Sequence, residues 1–114
     1  SKDLYRGASS EPAFRWTEQG LFQGNSNTLV LRRQGNSYLK GSTQAYRVQG
    51  SAIYAGASSE VHCRIQGELV YKGSGYDLLF RVVGDELRKA NGREVVLRGP
   101  GCNAVELVLA GLAI

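Results

Sequence analysis

Val61-His62-Cys63-Arg64-Ile65-Gln66-Gly67-Glu68-Leu69-Val70-Tyr71 is the stretch that decides the fold. Its odd positions carry Val61, Cys63, Ile65, Gly67, Leu69 and Tyr71, and its even positions carry His62, Arg64, Gln66, Glu68 and Val70. Successive side chains of a strand point to opposite faces, so this alternation predicts a half-buried strand. A slip of one residue would bury Arg64 and Glu68 and expose the apolar set, which fixes the register. The same reading from Tyr46 to Tyr54 puts Tyr46, Val48, Ala52 and Tyr54 on an apolar face and Arg47 and Gln49 opposite.

Working outward, the stretch is one copy of a recurring unit. Arg32-Arg33-Gln34-Gly35, Arg47-Val48-Gln49-Gly50, Arg64-Ile65-Gln66-Gly67 and the looser Arg81-Val82-Val83-Gly84 start 15, 17 and 17 residues apart, and Tyr38, Tyr54 and Tyr71 follow the first three glycines. This period is too short for paired helices and suits a β-meander with one strand and one turn per unit. Further strands are predicted around 13–18, over 28–33 with a partner at 37–40 across Gly35-Asn36, and over 76–83. A hairpin at Asn91-Gly92 joins 86–89 to 93–98. Residues 1–12 lack periodicity and read as a flexible arm, leaving 13–114 as one domain. The tail from Ala104 reads as a closing strand, because Val105, Leu107 and Leu109 alternate. The fold predicted is an all-β antiparallel sandwich of eight to ten short strands, preferred over a closed barrel.

Composition fits one globular domain: 114 residues, 42% hydrophobic, 15 glycines and 2 prolines. No methionine is present and the chain begins Ser1-Lys2-Asp3, from which a trimmed N-terminus is expected, with a leader or lipid-attachment cysteine lost. The net charge of +4 is dominated by arginine, which binds carboxylates and phosphates through a planar fork. Cys63 and Cys102 match no metal or redox spacing. A disulfide between them would close a loop of about 40 residues, stabilise by roughly 4 kcal/mol, and point to an oxidising compartment.

Chemistry is sparse. The single histidine, His62, neighbours Cys63, and adjacent strand residues face apart. No nucleophile elbow, phosphate loop or clustered acids occur, so the chain reads as a non-enzyme without metal or cofactor. The continuous alternation sets the tyrosines opposite Arg47 and Arg64, which argues against a stacking platform for single-stranded nucleic acid. Protein recognition remains, with Arg47, Gln49, Arg64, Gln66 and Glu68 as the candidate partner-binding face and a free sheet edge as a docking strip.

Val48-x-Gly50, followed by Tyr54 and the strand from Val61, resembles the small pilot lipoproteins of type III secretion secretins over residues 46–98. The resemblance implies a β-sandwich with a lipidated N-terminus, periplasmic and anchored to the outer membrane. Such a protein captures an apolar segment of a secretin subunit and chaperones its assembly. The chain departs from that pattern in carrying Ala57-Ser58-Ser59 where a proline-containing loop is expected, and in lacking a lipid-attachment cysteine. The alternative is a periplasmic inhibitor or immunity protein that blocks a hydrolase.

Overall fold

Each recurring segment is a hairpin, not one long strand. Gly50-Ser51 and Gly67-Glu68 are two-residue turns, with Gly50 at φ +62° and Gly67 at φ +60°, a backbone region open to glycine at little cost. The chain reverses there, and the inside–outside parity restarts. In the computed structural model, which describes residues 1–114, this gives twelve strands. They are β1 (Lys2–Tyr5), β2 (Pro12–Thr17), β3 (Gly20–Gln23), β4 (Leu29–Gln34), β5 (Ser37–Lys40), β6 (Thr43–Gln49), β7 (Ala52–Ala55), β8 (Val61–Gln66), β9 (Leu69–Lys72), β10 (Leu78–Val83), β11 (Glu86–Lys89) and β12 (Val95–Arg98). One helix, α1 (Ala104–Leu112), follows.

All twelve strands pair antiparallel with their chain neighbours, and β1 meets β12 at Tyr5↔Arg98. The sandwich of eight to ten strands is therefore corrected to a closed up-and-down barrel of twelve. The reason lies in the uniformity of the units. Hairpins of similar length add similar twist in one direction, and the sheet curls until it meets itself. No strand of contrasting length or long crossover is present to fold it into two layers. The molecule is a flat ring of 36 × 35 × 19 Å. Its strands, 4 to 7 residues long, are shorter than the roughly 9–11 residues of a membrane-crossing strand.

Six equivalent units build the ring, and the sixth is split between the chain ends. Leu4-Tyr5-Arg6-Gly7-Ala8-Ser9-Ser10-Glu11 and Ile53-Tyr54-Ala55-Gly56-Ala57-Ser58-Ser59-Glu60 are identical at six of eight positions. The first segment is the second half of the unit that begins at β12, so β1 closes the barrel where a flexible arm was expected. Leu4, at 0% exposure, anchors it in the core.

A ring of eight strands is just filled by its own side chains; twelve leave a wider lumen. Helix α1 occupies it, and the closing strand expected from Ala104 is corrected accordingly. Six consecutive residues, Glu106 to Gly111, are buried, as befits a helix apolar on every side. Asn103 caps its start: the side chain accepts from the Glu106 amide at 2.8 Å, and the Glu106 carboxylate accepts from the Asn103 amide at 2.9 Å. Two glycines let the helix approach the wall. A Cβ at Gly99 would lie 3.0 Å from Leu107 Cδ2, and one at Gly111 would lie 2.3 Å from Leu87 Cδ2.

Candidate functional site

Cross-strand partners share a face, so the register assigns every unit residue to the wall or the lumen. The outer pairs are Arg15↔Phe22, Arg32↔Leu39, Arg47↔Tyr54, Arg64↔Tyr71, Arg81↔Arg88 and Tyr5↔Arg98. One residue further along each first strand are the inward positions Trp16, Arg33, Val48, Ile65, Val82 and Gly99. The first five of these face Leu21, Tyr38, Ile53, Val70 and Leu87.

The outer pairs form a belt in which four of the six set a guanidinium over a ring: Arg15 lies 4.9 Å from the Phe22 centroid, Arg47 4.3 Å from Tyr54, Arg64 5.1 Å from Tyr71, and Arg98 4.7 Å from Tyr5. Each guanidinium also donates to a backbone carbonyl of the loop that follows its hairpin: Arg15 to Gly24, Arg47 to Ser58, Arg64 to Gly75, Arg81 to Gly92 and Arg98 to Ser9. The belt arginines thus clamp the long loops to the wall. Arg32 is the exception. It has Leu39 opposite, precedes a short loop, and reaches only Gln34. This matches the 15-residue spacing of its unit.

The structure places the candidate partner-binding face as follows. Arg47 and Arg64 are half-buried on the wall, Gln49 and Gln66 are exposed, and Glu68 is exposed in the β8–β9 turn. Arg47 donates to Gln49 Oε1 at 2.7 Å. Of the tyrosines expected opposite the arginines, Tyr46 does lie opposite Arg47, on the inner face with its cross-strand partner Tyr38, but the other two change face. Tyr54 and Tyr71 stand on the same face as Arg47 and Arg64, whereas Tyr38, one residue nearer its glycine, points inward at 8% exposure. Val70, expected outside, has 0% exposure, and Leu69 and Tyr71 take the outer face. Tyr76 lies outside β10, 79% exposed, on the loop 73–77. Its ring meets Tyr71 edge-on at 5.6 Å, and Arg64 sits 5.2 Å from it.

Cys63 and Cys102 are free, so the expected disulfide is not formed. Cys63 points into the lumen from β8, and Cys102 precedes the helix cap. Burial pushes both thiols up to about 11, and Glu106 adds to the rise at Cys102. His62 packs edge-on to Tyr46 at 5.4 Å and is exposed. No three His, Cys, Asp or Glu side chains are grouped to hold a metal.

Sequence reasoning missed a second cluster, at the mouth where the short turns and the helix N-terminus lie. Glu106 is buried at 8% exposure. Lys2 Nζ donates to its two oxygens at 3.0 and 3.3 Å. Arg33 lies 3.7 Å from its Oε2 and 5.1 Å over the Trp16 ring. Trp16 Nε1 donates to the Glu106 carbonyl at 3.0 Å. These residues line a cleft of about 200 Å³. The signal was present in the repeat itself: Arg33 is the one charge at a position that is Val48, Ile65 and Val82 elsewhere.

Compared with protein-family models, curated proteins and solved structures, the chain matches none.

Proposed function

We propose that the protein is a non-enzymatic module that binds another protein through the wall and loop around Arg64, Tyr71 and Tyr76. The observation that carries this reading is the exposure of Tyr76, which meets a second tyrosine edge-on and lies beside an arginine already held by the Gly75 carbonyl. Interface hot spots are enriched in tyrosine and arginine, and a pre-ordered ring limits the entropy lost on binding. The lumen is filled by α1 and the aromatic side chains around it, which leaves recognition to the outside of the ring.

The closed ring replaces the mechanism that a free sheet edge would supply. The cleft at Glu106 and a second one bordered by Arg15, Gln19 and Phe22 are each lined by seven residues of which one is apolar, so capture of an apolar segment in a groove has little support. A projecting loop with Tyr76 fits a concave partner surface, as a hydrolase inhibitor requires. A secretin subunit remains a partner to test on the strength of the resemblance. A periplasmic, outer-membrane-anchored location rests on that resemblance alone, because two free thiols no longer argue for an oxidising compartment.

One observation favours a second reading, binding of single-stranded nucleic acid: Arg64 and two tyrosine rings share one exposed face, the arrangement on which bases stack. Fluorescence anisotropy separates the readings. Labelled secretin C-terminal peptides, a panel of hydrolases and labelled oligothymidine are titrated against the wild type and Tyr76→Ala. Protein recognition predicts saturable binding to a peptide or hydrolase that weakens about tenfold or more in Tyr76→Ala. Nucleic-acid recognition predicts oligothymidine binding that falls steeply with salt. Binding of a protein ligand unchanged in Tyr76→Ala would remove the proposed surface.

A further inference from the structure

We propose that the turn-side mouth of the barrel is a carboxylate-binding site built on Arg33, independent of the outer belt. Arg33 faces inward from β4, at a position filled in other units by Val48, Ile65 and Val82. A guanidinium there serves the core poorly. Its side chain is 29% exposed, and its Nε is buried without any acceptor. The nearest anion, Glu106, stands at 3.7 Å, beyond hydrogen-bond reach. Glu106 is already engaged by Lys2 at 3.0 Å and by the Asn103 amide at 2.9 Å. One carboxylate therefore faces two cations, and the Arg33 fork keeps free donors.

Those donors border the cleft of about 200 Å³ between Lys2, Trp16, Thr17, Glu18, Arg33 and Glu106. Trp16 holds the guanidinium plane from one side at 5.1 Å and Tyr38 lies 5.9 Å from it, so the fork is fixed before any ligand arrives. A planar fork of this kind pairs with a carboxylate through two parallel hydrogen bonds. Lys2, its side chain 44% exposed, supplies a second positive charge at the rim. Glu18 is exposed at the same rim. With Glu106 it makes a dianion costly, which selects a monoanionic carboxylate over a phosphate. The ligand class is a small organic acid or the C-terminal carboxylate of a peptide.

The chain's single tryptophan, Trp16, lies beneath Arg33 and reports directly. Sodium acetate, and a short acetylated peptide with a free or an amidated C-terminus, are titrated at constant ionic strength balanced with sodium chloride. The proposal expects a saturable change in Trp16 fluorescence with acetate or the free-acid peptide. The amidated peptide gives none. Arg33→Lys, which keeps the charge but loses the fork, weakens binding about tenfold, and Arg33→Leu abolishes it. A response to acetate marks a small-acid site, and a response confined to the free-acid peptide marks a terminus-binding site. An equal response to chloride alone, no saturable response, or a response retained in Arg33→Leu would overturn the proposal. Should Arg33→Leu fail to fold, the Arg33 Nε–H resonance of the wild type decides the matter. It shifts on acetate addition if the site exists and stays fixed if it does not.

Discussion

Replacing Leu107 by alanine tests whether α1 is the filling of the barrel. Leu107 has 0% exposure and points at Gly99, with Leu4 beyond it. Removing three carbon groups at about 0.8 kcal/mol each forfeits roughly 2.4 kcal/mol of burial. Gly99 carries no side chain that could relax into the gap, so a cavity contribution adds to this, and a total of about 3–4 kcal/mol is expected. That is a large fraction of the roughly 6–17 kcal/mol typical of a chain this long. Gly99→Ala has the opposite fault. Its new Cβ would lie 3.0 Å from Leu107 Cδ2, 3.0 Å from Cys102 Sγ and 3.1 Å from Leu4 Cγ. Overpacking of this order costs about 1–3 kcal/mol. In the double variant the methyl enters the space Leu107 vacates, so the two losses do not add, and a coupling of about 1 kcal/mol or more is expected. Urea unfolding followed by Trp16 fluorescence and far-ultraviolet circular dichroism measures all four species. A Leu107→Ala loss below about 1 kcal/mol, or strictly additive losses, would refute a helix packed on Gly99.

The belt predicts a contrast between arginines. Arg47→Ala loses a ring contact at 4.3 Å and the bond to Ser58 and is expected to cost about 1 kcal/mol, whereas Arg32→Ala, with neither, costs under about 0.5 kcal/mol in the same unfolding assay. Glu106→Gln removes the carboxylate that lies within 4 Å of both Lys2 and Arg33 and is expected to cost roughly 1–3 kcal/mol, read as a lowered melting temperature by calorimetry. The two thiols, pushed up to about 11 by burial, stay protonated when folded, so labelling by a thiol-specific disulfide reagent near neutral pH is slow until denaturant is added. Their linkage has a definite sign: the unfolded chain gives up the thiol protons at lower pH than the folded chain does. Stability carried by these groups is whole below about pH 9 and falls as pH rises towards about 11, measurable as a declining unfolding midpoint.

The repeat and its turn glycines were legible, but each unit was read as one strand and one turn where the structure has a hairpin of two strands. The hairpin across Gly35-Asn36 was readable from turn chemistry, whereas Asn91-Gly92 marked a reversal but lies inside a five-residue loop, 90–94, so that β12 starts at Val95 and not at residue 93. The errors about which face a residue takes share one cause. Alternation was followed straight through Gly50-Ser51 and Gly67-Glu68, where a two-residue turn reverses the chain and resets which parity faces inward. That misplaced Tyr54, Val70 and Tyr71 and hid the arginine–aromatic belt. Closure needs long-range information that local periodicity lacks, though the likeness of Leu4–Glu11 to Ile53–Glu60 held the clue that the N-terminus belongs to the last unit. The tail misled for a different reason: a segment apolar on every side has no helical period to detect. The mouth site needed the fold, since Lys2 and Glu106 lie 104 residues apart.

The most direct test of the account is a nuclear Overhauser measurement between the side-chain methyl groups of Leu4 and Leu107. Both leucines converge on Gly99, where a Cβ would lie 3.1 Å from Leu4 Cγ and 3.0 Å from Leu107 Cδ2. A ring closed by its first strand around its last helix predicts strong cross-peaks between the two leucines. Their absence, with Leu107 methyls showing contacts only to solvent or to their own helix, would contradict it.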